Sequence, residues 1–542
     1  MKADLVILGN AIFDSVKDSP FEGGIVVINN RIAFVGPKDK AREFIGPDTE
    51  VREYEDNLIM PGICDSHGHI VSAALDYALN ICDLNSGNSE EECAQLMADF
   101  VAANPGEEKY LGRGWNMSYW GEDPQLPTNK SLDKLIPDVP VFLFSSDLHS
   151  TWTNTKGMEY SGLYDFYEEY DEEVIPRGSD RKPIGILRED PSFRVRLDAF
   201  AHSEEENAEF QDLLLKAFAE EGITAFADVS PMPPERMLRE FKHMKDLDEK
   251  GEMTIRLYLH PGSAPPITGS EMDKAQQLLA YYNTDKMRVA GVKALYDGVT
   301  ASYTALMTEP YHDNPTTNGK QYAPYEQLRE WVIESNRLGF GARIHCIGDL
   351  AVKHALDAFE LSNRMNDNSK IHNAVEHIEI IRPEDIPRFG ELGVVASMQP
   401  GHQMKDKGIK LQRCGRERSK YEWAFRSIKD AGAHICFGTD YTAMDFKPFP
   451  NIYYAMTIKD LDGTQYGEMS RREVLTLPEC LKAYTIEGAY MHRMDDRLGT
   501  LEPGKYADII VTDRNLFNIP VDNIKDTKVL LTVFDGKIIY EK

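Results

Sequence analysis

Residues 58–70 read LIMPGICDSHGHI, an apolar run that breaks at Pro-Gly and then offers Asp65, His67 and His69. In a strand, positions i and i+2 share a face, so His67 and His69 aim both imidazoles at one point. Two imidazoles at one point suit a metal ion, provided the rest of the chain supplies further ligands. Residues of ligand type recur at comparable places: Lys293 in GVKAL, His345 in RIHCIGD, His377 in VEHIEI and Asp440 in FGTD. Each has a plainer reading. A histidine inside an apolar run is more often a hydrogen-bonded core residue. A lysine there can snorkel to the surface. An aspartate after Gly-Thr is commonly a turn or helix cap. What raises the set above these readings is its shared register, since every member sits at or near the end of a strand-like run.

The runs themselves are residues 222–230, 254–261, 288–298, 339–349, 373–380, 393–400 and 434–440. With the strand that ends at the HxH pair they make eight. Helical periodicity separates most of them. In SEEENAEFQDLLLKAFAEEG, Ser203 and Glu206 form a capping box, and Phe210, Leu213, Leu214 and Phe218 mark an apolar face. Eight strands alternating with helices predict an α/β fold, a (β/α)8 TIM-like barrel, with the site at the C-terminal ends of its strands. Between the first strand and the second lie about 150 residues, far more than an ordinary connection. They contain strand-like runs of their own, KYLGRGWNMSYWG and VPVFLFSSDLHSTWTN, and predict an inserted subdomain over about 75–195. Short strands at both termini, separated by turn residues such as Asn29-Asn30, predict a small β-domain built from 1–58 and 491–542, flanking a barrel over 59–490.

Composition narrows the function classes. A formal net charge of −29 argues against nucleic acid or an anionic membrane surface as partner. No run approaches the roughly 18 apolar residues of a membrane helix. The seven cysteines are widely spaced, odd in number and without a CxxC, which suits a reducing compartment and a cytoplasmic location.

Taken in order, IMPGICDSHGH, LGRGWNMSYW, DLHSTWTN, GILRE, VKALYDG, IHCIGDLAV, VEHIEIIRPED, FGTDYTA and GTLEPGKYADIIVTD resemble the motifs of the amidohydrolase superfamily. They are most similar to its YtcJ-like branch, the amidohydrolase-3 group that includes N-substituted formamide deformylases. The resemblance spans nearly the whole chain. It implies a TIM-like barrel beside a small β-sandwich, and a divalent metal site. Carried over position by position, it implies that His67, His69 and Asp440 hold the more buried metal and that His345 and His377 hold the second. Lys293 would bridge both as an N-carboxylated lysine. Zinc is the first choice, because imidazole and carboxylate oxygen suit it. The chain departs from the common pattern at Cys64, where Phe or Leu is frequent, at Thr439, and at Asn116 in the Trp-Asn pair.

The activity this implies is hydrolysis of a C–N bond, amide-like and outside peptides, in a small molecule. Metal-activated hydroxide would attack, and Asp440 would serve as general base and then acid. The same chemistry serves a lactone or ester C–O bond, or deamination of an imine-like ring carbon. A barrel that has lost its metal and acts as a scaffold is the reading from another class, disfavoured because all six ligand positions are filled. Trp115, His149, Asp297 and His402 are the candidate substrate contacts. Trp115 and Trp120 have the alternative of being the core of the insert. The aromatic tendency of these positions suggests an apolar or aromatic amide. By family resemblance, a homodimer is expected.

Overall fold

The structure, a computed structural model, describes residues 2–542 apart from 79, 122–124, 199–202, 231, 233, 264–269 and 406–407. It falls into two compact units. One comprises residues 1–73 and 211–542, the other residues 74–210.

In the first unit, LIMPGICDSHGHI is divided between two sheets. Ile59–Pro61 belongs to a sheet of eight strands drawn from both ends of the chain. It pairs antiparallel with Ile509–Thr512 on one side, and Ile59 bridges to Ile12 of Leu5–Ile12 on the other. Strand alternation gives this sheet two apolar faces. Leu5, Ile7, Ile25 and Val27 pack on one side with Ile509 and Val511. Val6, Leu8 and Val26 pack on the other with Ala41. Asn29 turns the Phe21–Ile28/Arg31–Gly36 hairpin with φ 54°.

After Gly62 the chain enters Ile63–Gly68, the first of the parallel strands. Ile63–Gly68, Ile223–Asp228, Arg256–Leu259 and Met287–Val289 form a four-stranded parallel sheet in that spatial order. Gly262–Ser263, Gly291–Leu295, Gly341–Cys346, Ala374–His377, Val395–Met398 and Ile435–Phe437 form a six-stranded one, also all parallel. The two sheets share chain segments, because residues 256–263 and 287–295 each contribute to both. The last strand also reaches the first. Asp440 N donates to His67 O at 2.8 Å, and His69 N donates to Tyr441 O at 3.0 Å. Gly438 permits that approach, since a Cβ there would lie 2.5 Å from the His67 backbone nitrogen. Each of the eight expected runs therefore contains a strand. Nearly all of their residues are buried, as strands covered on both faces require.

The helix Glu204–Glu220 shows how far periodicity alone carries. Ser203 caps it as expected, with Glu206 N donating to its Oγ at 3.2 Å and Glu206 Oε2 accepting from Ser203 N at 2.9 Å. The buried face, however, is Gln211, Leu214, Leu215 and Phe218, and Leu213 is 38% exposed. Leu214 and Phe218 are buried as the period requires and Phe210 is half-buried, so of the four expected residues Leu213 is the one that faces out. Gln211 goes inward because its amide donates to Glu240 O at 2.7 Å.

The second unit contains a five-stranded sheet in the spatial order Ile186–Arg188, Ser150–Thr153, Val141–Ser145, Tyr110–Trp115, Cys82–Asp83. Its core gathers Met97, Trp115, Leu143 and Trp152. Among the described residues, no helix is long and apolar enough to cross a membrane. All seven cysteines are buried and unpaired.

One buried ion pair joins the terminal sheet to the parallel strands. Arg256 is fully buried and donates to both oxygens of Asp508, at 2.8 and 3.1 Å. Its guanidinium stacks over Tyr506 at 4.1 Å. Removing one partner of a buried pair strands the other charge. Arg256→Met is therefore expected to cost about 3–5 kcal/mol, read by chemical denaturation.

Candidate functional site

Three imidazoles surround one carboxylate at the C-terminal ends of the parallel strands. His67 Nε2 and His69 Nε2 lie 3.6 and 3.0 Å from Asp440 Oδ1. His402 Nε2 lies 3.2 Å from Asp440 Oδ2. His377 stands beside them, its ring centroid 4.8 Å from that of His67 and 4.5 Å from that of His345. One donor atom each from His67, His377 and Asp440 falls within a span of 4.8 Å, the size of a metal site. Lys293 is 2% exposed, and its charge bears on both His67 and His377. The structure thus brings His67, His69, Lys293, His345, His377 and Asp440 to one neighbourhood. Among the described residues, His67, His377 and Asp440 are the set with donor atoms all within 4.8 Å of one another, while His67 and His69, the pair expected beside Asp440, both approach its Oδ1.

Backbone conformation makes this possible. His377, Ile378 and Asp440 have φ of 71°, 53° and 57°. Left-handed conformations at non-glycine residues cost about 1 kcal/mol each. At His377 the turn breaks strand alternation. Glu376 and His377, adjacent in sequence, consequently both reach His67: Glu376 Oε2 is 2.6 Å from His67 Nδ1.

A second layer of residues orients the first. Glu376 is fully buried, and its other oxygen accepts from Arg343 Nε at 2.5 Å. Asp228 accepts from Ile70 N at 2.7 Å and from Ser230 Oγ at 3.0 Å, and Ser230 Oγ is 3.3 Å from His69 Nδ1. Asp65 shares a strand face with His67 and points to the last strand. It accepts from Thr439 N at 3.0 Å and from the Thr439 hydroxyl. Glu376, Arg343, Asp228 and Ser230 were missed by sequence reasoning. The available signal was a charged residue inside an apolar strand, where burial without a partner is prohibitive.

The electrostatics follow from burial. Burial, helped by the charge of Lys293, lowers the His67 pKa to about 3, so its imidazole is neutral. Burial likewise holds His377 well below 6.5. Lys293 is lowered to about 8 by burial, against the pull of Glu376. Asp440 stays ionised despite burial, because His67, His402 and His69 hold its pKa well below 3.8. His402 goes the other way. Burial disfavours its charge, but Asp440 and Glu379 outweigh that and raise it to about 9. Neutral imidazoles with an ionised carboxylate are the donor set of a divalent ion. His377 Nδ1 is buried with no hydrogen-bond partner, and Glu376 on His67 Nδ1 leaves Nε2 as the ligating atom. The residues present fit such an ion.

The candidate substrate contacts are distributed differently. Asp297 was expected to line the pocket. It is fully buried behind His345 instead, 3.1 Å from Nδ1, and accepts from the backbone nitrogens of Leu306, Ile347 and Gly348 at 2.9–3.0 Å. Four contacts fill a carboxylate's acceptor sites and leave none for substrate. Trp115 is a core residue of the second unit. It is 3% exposed, it donates to Leu143 O at 2.8 Å, and its ring lies 5.9 Å from Trp120 and 6.1 Å from Trp152. His149, in the same unit, pairs with Glu189 at 2.7 Å. His402 is the one of the four that stands at Asp440.

Comparison with known proteins gives a consistent picture. The model of a family described as Amidohydrolase family matches residues 51–540. The chain is 28% identical over 544 residues to the protein LONG AFTER FAR-RED 3 of Arabidopsis thaliana, covering 99% of this chain and 92% of that one. It is 24% identical to the putative amidohydrolase YtcJ of Bacillus subtilis, covering 98% and 99%. It is 22% identical to the N-substituted formamide deformylase of Arthrobacter pascens, covering 96% and 95%. Among solved structures, an uncharacterized metal-dependent hydrolase from Pyrococcus horikoshii superposes with a TM-score of 0.75 at 23% identity, covering 95% of this chain and 99% of that one. Likeness of this kind carries the fold, and the neighbours imply a TIM-barrel-like α/β architecture.

Two predictions arise from the second layer and from the buried rings. Removing a carboxylate that orients a ligating histidine costs about 10–100-fold in metal affinity. Asp297→Ala and Glu376→Gln are each expected to show such a loss by competitive chelator titration. His67, His260, His377 and His492 are all buried, with pKa values lowered from 6.5. A histidine depressed in the folded state takes its proton only on unfolding. Its contribution is therefore complete above pH 6.5 and is lost as pH falls below it, by about 1.4 kcal/mol per unit and ring. Asp65, raised to about 7 by burial, and Asp228, also raised by burial, offset part of this loss. The denaturation midpoint of the metal-free protein should fall between pH 6.5 and 4.5. A flat midpoint across that window contradicts neutral burial of the rings.

Proposed function

Because this chain belongs to the amidohydrolase family, whose model spans residues 51–540, we propose that it hydrolyses an amide-like, non-peptide C–N bond of a small molecule at a divalent metal site. The observation that carries the reading is the convergence of His67, His69 and His402 on the two oxygens of Asp440, with a donor atom of His377 within 4.8 Å. His67, His377 and Asp440 would hold the ion, with His69, His345 and Lys293 completing a site for one or two. Zinc suits this donor set best. When bound, the ion supplies Lewis acidity and lowers the pKa of water toward neutrality.

The chain's own groups account for the rest. Asp440 is ionised, with Oδ1 toward His67 and His69 and Oδ2 toward His402. One oxygen can face the ion while the other moves a proton. Asp440 would take the proton of the attacking water and return it to the departing nitrogen, which leaves poorly as an anion. Glu376 fixes the His67 tautomer throughout. Lys293, with its pKa lowered to about 8, has an appreciable neutral fraction near pH 7, the form that combines with CO2 to give an N-carboxylate.

The proposal extends to architecture and setting. We read the two parallel sheets as one eight-stranded barrel joined at the His67–Asp440 seam, and the terminal sheet as a β-sandwich curled on itself. Seven buried, unpaired cysteines favour a reducing, cytoplasmic setting. An apolar or aromatic amide is the proposed substrate class, and a homodimer the proposed assembly.

The test combines elemental analysis with a panel of N-substituted formamides, other amides, lactones and cyclic imines. Near-stoichiometric zinc, lost in His67→Ala, together with turnover confined to the amides supports the reading. Turnover confined to lactones or imines replaces the bond assigned here. No metal after reconstitution and no turnover removes the catalytic reading. Asp440→Asn is expected to lower kcat by about 10³-fold or more while sparing much of the metal, since a general acid–base contributes about 10²–10⁴.

A further inference from the structure

A second line of buried charge leads away from Asp440 on the side opposite His67. His402 begins the helix His402–Lys405. Its ring stands between two carboxylates, with Nε2 3.2 Å from Asp440 Oδ2 and Nδ1 3.5 Å from Glu379 Oε1. The other oxygen of Glu379 meets Lys410 Nζ at 2.5 Å. Lys410, on the helix Ile409–Arg418, is fully buried. Its ammonium group is 3.3 Å from Thr300 Oγ1 and lies 4.6 Å from the centre of the Trp423 ring. The carboxylate, its cation and the cation's supports thus come from separate segments of the chain and converge on one imidazole.

Stability alone does not account for this arrangement. A buried Lys–Glu pair recovers little more than its own desolvation cost, and apolar side chains of similar volume commonly do as well. Position is what such a pair can supply. Glu379 lies two residues beyond His377 and is 5% exposed, so it has little freedom to move, and Lys410 holds its far oxygen. The near oxygen then stands 3.5 Å from His402 Nδ1, and the ring's other nitrogen, buried and without a hydrogen-bond partner, stands 3.2 Å from Asp440 Oδ2.

We infer that Glu379 and Lys410 are positioning residues, which hold the His402 imidazole so that its Nε2 shares the reacting side of Asp440 and touches the scissile amide. The inference rests on the amide-hydrolase reading for the identity of the scissile group. It adds a third residue, Lys410, that reaches the reaction only through two others. His402 is the side chain that contacts substrate, and Glu379 and Lys410 set its orientation. A misplacement of about 1 Å in such a contact costs on the order of 100-fold in rate.

The test uses full-length, zinc-loaded protein labelled with 15N-histidine, with the His402 ring signals assigned by their loss in His402→Gln. The double variant Glu379→Gln/Lys410→Met removes the pair at similar volume without leaving one charge alone. Lys410→Arg keeps the cation. In the double variant the His402 ring signals are expected to shift. Its kcat on an amide substrate of the wild type is expected to fall by about 100-fold with KM unchanged, the signature of a contact made in the transition state. Metal content and melting temperature of the double variant should match the wild type, and Lys410→Arg should keep both the signal positions and kcat near those of the wild type. Unchanged His402 signals in the double variant overturn the proposal. A fall in kcat that tracks loss of metal or of melting temperature also overturns it, by assigning the pair a structural role. If the wild type hydrolyses no amide, the amide reading fails, while the ring signals still decide whether the pair positions His402.

Discussion

A site shared by the first and last parallel strands requires those strands to be fastened together, and a buried carboxylate does the fastening. Asp65 accepts from both the backbone nitrogen and the hydroxyl of Thr439, 374 positions away, and from His67 N. Burial raises its pKa to about 7, and the same hydrogen bonds from Thr439 and His67 work against that rise. The hydrogen bonds from Asp440 N to His67 O and from His69 N to Tyr441 O continue the contact. With the seam in place, Asp440 has no choice of partner, because the HxH pair is directly in front of it. The arrangement of the other ligand-type residues then depends on ordinary parallel pairing. Leu295 is in register with His345, and Cys346 with His377.

So many charges in one interior demand compensation, and each is met by a specific partner. Glu376 has Arg343 on one oxygen and His67 on the other. Asp297 has four donors. Asp228 has Ile70 and Ser230. An ion left without such partners would cost several kcal/mol and would shed its charge instead. The partners have a second consequence, which is functional. A ring held from behind by a carboxylate presents one fixed nitrogen forward, so the ligands meet an ion without reorganising.

The left-handed residues belong to the same economy of position. His377, Ile378 and Asp440 hold backbone conformations that most side chains avoid. They occur where strands end and loops begin, within the cluster of buried histidines and carboxylates. Strain of this size persists only where surrounding contacts over-determine it. Here the hydrogen bonds from Ile378 N to Cys346 O and from Asp440 N to His67 O supply those contacts.

Much of the architecture was legible in the residues alone. Apolar runs of strand length, spaced by helical periods, marked the eight segments that hold the parallel strands, because strands covered on both faces are predominantly apolar. Strand alternation aligned His67 with His69, and the register of polar residues at strand ends singled out Lys293, His345, His377 and Asp440. What the residues could not disclose was anything set by contacts between strands. Glu376 stands inside an apolar run without a visible partner until Arg343 and His67 are seen to close over it. Asp297 reads as a pocket residue until four donors are seen to exhaust it. Trp115 reads equally as a pocket wall or as core of the insert until Trp120 and Trp152 are seen to surround it. On the helix Glu204–Glu220, Gln211 goes inward through a single hydrogen bond from its side-chain amide to Glu240 O. Local periodicity follows from backbone geometry and is written along the chain. The partner of a buried charge is chosen across the fold, by distance and desolvation, and only the tertiary structure decides it.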